Sequence, residues 1–245
     1  LRTAAREIVS EIRGIFRIRT MRFLLVGISV LLFTVTGIGY WLAVYHERYS
    51  GMTTEQATGA TAAVLGLGGI LGTLWGGRLT DRIYGQGPAG RITMVGSTII
   101  GSLALFVLSF NIPVVPLRFV LQFVGTFVGA AAVPGLRAAM TDVVPAASRG
   151  IGVSAFSLSA AVFGTALAPP IVGALSDLTS SLLAAFNIVS PIVLIGALIL
   201  LRARKTIVAD AQAIFEAVMA RGPRSETEAV AQEPAPEPDD PVAAT

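Results

Sequence analysis

The chain has 245 residues, 53% of them hydrophobic and 13% charged, with a mean hydropathy of +0.74. A soluble domain of this size has no interior large enough for that much apolar surface, so the broad class is integral membrane protein. The formal charge of +3 clusters at the ends of apolar runs and is a topology signal, not one for nucleic acid; the absence of cysteine excludes disulfides, thiol nucleophiles and cysteine metal sites.

Taken in chain order, residues 1–22 place Ile8, Ile12, Ile15 and Phe16 at helical spacing with arginines on the other face. This reads as a cytoplasmic amphipathic linker, either lying on the inner leaflet or simply supplying positive charge before the first span. Six runs of about 20 residues follow, each long enough to cross a hydrocarbon core about 30 Å thick. They are Phe23–Tyr45, Ala57–Gly77, Ile92–Phe110, Val114–Ala139, Ile151–Leu175 and Ser180–Leu201, together a six-helix bundle over 23–201. β-Barrel strands would be shorter and alternate apolar with polar residues, which these runs do not.

The first run carries Thr34, Tyr40 and Trp41; its two aromatic residues read as headgroup anchors or as ligand-stacking groups. His46, just beyond it, is expected in a solvated loop beside Glu47 and Arg48. The second run is rich in glycine, so its backbone is expected close against neighbouring helices. The fourth carries Arg118, Gln122, Gly125 and Gly129 on one stripe, with Thr126 beside it. Arg118 either faces a polar path or snorkels to the headgroups. The fifth holds Ser154, Ser157 and Ser159, weak evidence of a polar site because a serine hydroxyl bonds its own helix. Its Pro169-Pro170 pair predicts a kink or break. Residues 202–221 keep helical spacing and predict a cytoplasmic helix; Pro, Glu and Ala dominate 222–245, a disordered tail.

Arginines precede the first run and follow the sixth, and Arg78, Arg82, Arg91, Arg137 and Arg149 flank the runs on that same side, against Arg48 and Arg118 opposite. Both termini are therefore expected in the cytoplasm of a cell-membrane, multi-pass protein. The chain opens on Leu1 with a basic segment and no signal-peptide pattern, so a fragment or half of a longer protein is expected.

An internal repeat organises these runs. Gly-x-Leu-Thr-Asp at Gly77–Asp81 returns as Gly-x-Leu-Ser-Asp at Gly173–Asp177, and the same offset carries Gly68 onto Gly164 and Leu71 onto Leu167. Three spans being odd, the two units run in opposite senses, as inverted repeats do in secondary transporters. The expected fold is an all-α membrane protein of six transmembrane helices in two inverted three-helix repeats.

These motifs resemble the major facilitator superfamily, specifically its C-terminal six-helix half, over about residues 1–205. Gly77, Asp81 and Arg82 match the start of the family's Gly-x-x-x-Asp-Arg-x-Gly-Arg-Arg loop signature, though Ile83-Tyr84 and Gln86 depart from it. Asp142 and Arg149 resemble a second motif, an acid followed seven residues on by arginine, and Pro169–Asp177 is similar to an eleventh helix. Ser148–Gly152 and the Pro-Pro span resemble spinster-like and organic-anion carriers.

The resemblance implies alternating access, with Gly77, Asp81, Arg82, Asp142 and Arg149 as gating residues. It implies a small organic or amphiphilic substrate, an N-terminal six-helix half as partner and membrane lipid around both. The first helix of each unit would line the central path, which makes Thr34, Tyr40, Trp41, Arg118, Gln122 and Thr126 the candidate substrate-binding residues. No nucleic acid, cofactor or metal is expected. A channel would need a filter segment, and an intramembrane enzyme would need an activated nucleophile; neither pattern is present, and no Walker-type phosphate loop occurs.

Overall fold

The computed structural model describes residues 18–83, 85, 87–144 and 149–220. Residues 1–17 of the expected linker, the last residue of the expected cytoplasmic helix 202–221 and the whole expected tail 222–245 lie outside them. Among the described residues six helices are long and apolar enough to cross a membrane. They are α1 (Arg19–Ser50), α2 (Thr54–Ile83), α3 (Gly87–Asn111), α4 (Val115–Val143), α5 (Arg149–Thr179) and α6 (Leu182–Lys205), followed by a shorter helix α7 (Ile207–Ala220). Each expected run overlaps one of these helices, the fourth and sixth starting one and two residues before theirs, and most helices extend further; α1 has 32 residues where the expected run is Phe23–Tyr45.

The turns explain the spacing of the helices. Gly51 takes the left-handed conformation (φ 65°) that ends α1, and Thr53 then caps α2 through a reciprocal pair with Gln56. Pro116 sits in the first turn of α4, where its missing N–H costs nothing. Ser181 caps α6 by accepting from the Ala184 amide.

Three helices are interrupted inside the bundle. α4 turns at Ala131, three residues before Pro134, whose ring crowds the carbonyl four residues back. α2 carries a π-helical stretch at Ala63–Leu67 and α5 one at Ala160–Ala166, the latter running into the turn at Leu167 just before Pro169-Pro170. Under the offset that relates the two Gly-x-Leu-[Thr/Ser]-Asp motifs, the two π-helical stretches overlap.

The helices antiparallel in sequence meet at two ends. At the basic end, the start of α1 bonds the start of α7 and Arg91 of α3 pairs with Asp142 of α4. At the opposite end, the last turn of α1 meets the end of α3 and the starts of α4 and α6 through Tyr45, Tyr49 and Arg118. Two clusters fill the space between. One at the basic half centres on Met21, Leu24, Ile92, Leu136 and Leu200; the other, aromatic, centres on Tyr45, Phe110 and Phe186. Large apolar residues such as Leu74, Phe163 and Ile195 stay exposed on the outer faces, as lipid requires.

Candidate functional site

Packing of small residues sets the helix positions around the bundle interior. A Cβ added at Gly72 would lie 2.1 Å from the Phe127 carbonyl oxygen, and one at Gly76 2.4 Å from that of Ala131. Only glycine lets α2 and α4 touch backbone to backbone there. On the repeat-related side, α5 brings Ala168 and Val172 against α1, and the room is made by Gly37 of α1, whose Cβ would stand 2.9 Å from Val172. Ser29 and Ser159 share a 2.7 Å hydrogen bond across that same seam. So α2 leans on α4 as α5 leans on α1, the pairing that an exchange of the two three-helix units demands.

Between these seams lies a cavity of about 270 Å³ at mid-depth, walled by α1, α2, α3, α4 and α6. Leu31, Ile38, Leu65, Phe106 and Val193 make it apolar, and Val35, 51% exposed, stands at its mouth. Its hydroxyls are Thr34, Ser102, Thr126 and Ser190. Each gives its proton to a backbone carbonyl: Thr34 to Val30 (3.3 Å), Ser102 to Gly125 (2.7 Å), Thr126 to Gln122 (2.9 Å) and Ser190 to Phe186 (2.7 Å). What remains is acceptor lone pairs on an uncharged wall. Such a surface accommodates an apolar or weakly polar group and offers no counter-ion to a charged one.

Of the six candidate binding residues, this cavity brings together Thr34 and Thr126. Trp41 instead lies in the α1–α5 seam, its indole N–H donating to the Pro169 carbonyl (3.0 Å) with the Gly173 backbone against its ring. A carbonyl oxygen has two lone pairs, so that of Pro169 can accept the indole N–H from outside its own helix. Tyr40 is 67% exposed on the outside of α1 and meets Trp41 edge-on.

Arg118 is buried at the end opposite the basic one. It donates to the Tyr49 carbonyl (2.9 Å), the Ser50 hydroxyl (2.8 Å) and the Ile112 carbonyl (3.0 Å), and lies over the Tyr45 ring. It thus ties the C-terminus of α1, where a cation is favoured, to the turn before α4. Gln122, one turn deeper, is fully buried, and neither amide atom has a hydrogen-bond partner among the described residues.

His46 corrects the sequence reading. It is not in a solvated loop but inside α1, fully buried, with its ring 4.4 Å from that of Phe119 and neither nitrogen partnered among the described residues. The expectation took the last apolar residue as the helix end; the helix continues to Ser50 because α4 and Arg118 cover it.

The gating candidates divide as well. Asp81, Arg82 and Arg149 are exposed at the basic end, and a Cβ at Gly77 would meet open space. Asp142 is half-buried and pairs with Arg91, a charge-assisted contact between α4 and α3. Arg91 had read only as a flanking charge; its distance from Asp142 in sequence hid the pair. Among the described residues there is no group of three or more His, Cys, Asp or Glu placed to hold a metal ion.

Comparison with known proteins agrees with this architecture. The Major Facilitator Superfamily family model matches residues 52–237. No curated protein sequence matches the chain. Among the solved structures that share the fold are two of a bacterial homolog to the human lysosomal transporter Spinster, both in inward-facing conformations. The unoccupied one aligns with a TM-score of 0.60 at 16% identity, covering 85% of this chain and 50% of its own. The occupied one aligns at 0.53 and 16% identity, covering 82% and 49%. The chain therefore spans about half the length of the structures it resembles.

Proposed function

Since the chain belongs to the major facilitator superfamily and is a multi-pass membrane protein, we propose that it is one six-helix half of a secondary carrier. It works by alternating access on a small organic or amphiphilic solute, against a second six-helix half. The observation that carries this reading is the mid-depth cavity between α1 and α4, the first helices of the two repeat units, with Thr34 and Thr126 on its wall. The apolar lining favours a solute with a substantial hydrocarbon part; the four hydroxyl oxygens accept hydrogen bonds from a donor on it. Coverage of only half of each solved transporter supports the missing partner.

In this reading both termini lie in the cytoplasm, following the arginines at the basic end. Gly77, Asp81 and Arg82 form the contact face toward the partner half: the two charged residues are exposed, and half-buried Gly77 has free space above it for an incoming helix. Asp142 acts through Arg91, holding the ends of α3 and α4 together while that face makes and breaks contact. Arg118 serves as the fixed clamp at the far end, and Tyr40, exposed on α1, supplies a hydroxyl on the face that closes against the partner.

The test is uptake of labelled amphiphiles into vesicles carrying the assembled carrier, with Gly69→Leu and Val133→Phe introduced to fill the cavity. Saturable uptake abolished by both variants is the expected result. Uptake unchanged by filling the cavity would place the path elsewhere, and unsaturable ionic current would make the protein a channel. The chain without a partner half is expected not to transport.

A further inference from the structure

Among the described residues, His46 and Gln122 are fully buried with none of their side-chain polar atoms partnered. Both sit at the end opposite the basic one, His46 near the end of α1 and Gln122 near the start of α4. The Thr61 hydroxyl, on the same face of α2 as buried Ala57 and Val64, is also buried without a partner. The imidazole centroid lies 4.4 Å from that of the Phe119 ring and 5.6 Å, edge-on, from that of Tyr45. The Arg118 guanidinium lies over the same Tyr45 ring, 5.3 Å from its centroid.

A neutral imidazole has one donor and one acceptor, and here the bundle closes over both of them unmade. Protonation makes the closed arrangement far worse. It adds a second N–H donor and a full charge where no acceptor is in reach, beside the Arg118 cation. No carboxylate is placed to pair with that charge. Glu47, next on α1, projects about 100° away round the helix, and Glu55 is exposed at the start of α2. The other titratable neighbours on α1 are Tyr45 and Tyr49, whose hydroxyls meet the Phe110 carbonyl and Ser181. The C-terminus of α1 attracts a cation, but Arg118 already fills that place through the Tyr49 carbonyl and the Ser50 hydroxyl.

We propose that His46 is a pH-sensitive latch: neutral, it lets α1 and α4 close at this end, and on protonation it parts them. Parting gives water to the imidazolium, the Gln122 amide and the Thr61 hydroxyl together. A single proton thus opens a seam that already holds several unpartnered groups. The seam is internal to one bundle, so the latch stands or falls without the second half that the carrier reading requires.

The chain has no native cysteine, so a single Thr61→Cys reports on the seam in the full chain in lipid nanodiscs. A water-soluble maleimide reaches this thiol only when the seam parts. Its rate is divided by that at an exposed control, Thr54→Cys, which cancels the titration of the thiol itself. An imidazole in water titrates near pH ~6.5, and the open form alone takes up the proton. The ratio should therefore rise about tenfold from about pH 7.5 to about pH 5.5. His46→Gln and His46→Phe do not titrate, and each should flatten the ratio; the second keeps a ring against Phe119. A parent ratio that stays flat or falls on acidification overturns the latch. So does the same rise in either variant that keeps its helical circular dichroism.

Discussion

α2 and α5 are the same helix built twice and put to different use. Both carry a π-helical stretch near the midpoint, both press small residues against the first helix of the other unit, and both end on Gly-x-Leu-[Thr/Ser]-Asp. In α2 the close approach rests on Gly72 and Gly76 against the α4 backbone, whereas in α5 the equivalent positions are Ala168 and Val172 and the room comes from Gly37 of α1, with α5's own Gly164 touching α1 one turn earlier. At the motif itself the difference is larger. Gly173 lies under the Trp41 ring, which is bonded to Pro169, while the space above Gly77 is open and its neighbours Arg78, Asp81 and Arg82 are exposed. One copy is closed by a side chain of the same bundle; the other presents a glycine and three charges. A repeat conserves the helix path because packing fixes it, and leaves the motif's surroundings free to diverge.

The strongest way to break this comparison is at the close approach. Gly72→Ala forces a methyl group into the Phe127 carbonyl, which cannot rotate away, and should cost ~3 kcal/mol. Its repeat mate Ala168→Gly should cost about 1 kcal/mol, from helix propensity and lost packing. Thermal unfolding of the purified protein measures both; equal losses would show that the two seams are not built differently.

Next comes the charge at the motif. In the assembled carrier Asp81→Asn should shift the balance of open and closed states by about 1–3 kcal/mol, the size of a charged hydrogen bond. Asp177→Asn should shift it less, since no basic residue neighbours it in sequence. Reactivity of single cysteines on each face of the membrane reads the difference, and identical labelling of both variants and the parent removes the gating role.

A smaller effect is expected at the closed copy. Trp41→Phe removes both the bond to Pro169 and part of the bicycle that lies on Gly173, so about 1–2 kcal/mol of stability should go. The smallest contrast lies at the paired glycines themselves. Gly77→Ala meets nothing and should be neutral or stabilising by up to about 1 kcal/mol in the isolated chain. Gly173→Ala must displace an indole 3.0 Å away and should lose a few tenths of a kcal/mol despite the same gain in helix propensity. Loss of transport in the assembled carrier with Gly77→Ala, alongside unimpaired stability, would identify the open face as the docking face.

Sequence alone determined the class, the number of spans and the repeat. Twenty apolar residues in a row leave the backbone no solvent for its polar groups other than itself, so span and helix are one inference. The glycines of α2 announced a close contact because nothing else explains seven of them in a helix, and Thr34 and Thr126 could be placed on the first helices of the two units from the repeat. Which face each residue serves was decided by tertiary structure. Trp41 became a seam, Arg118 a clamp on the end of α1, His46 a buried ring and Arg91 the partner of Asp142. Periodicity places a side chain on a stripe of its own helix, but in lipid every stripe is apolar, so the pattern does not say which neighbour the stripe meets. That choice is made by contacts between residues 50 to 190 positions apart in the chain, such as Arg91 with Asp142 and Thr20 with Asp210, and no local pattern records it.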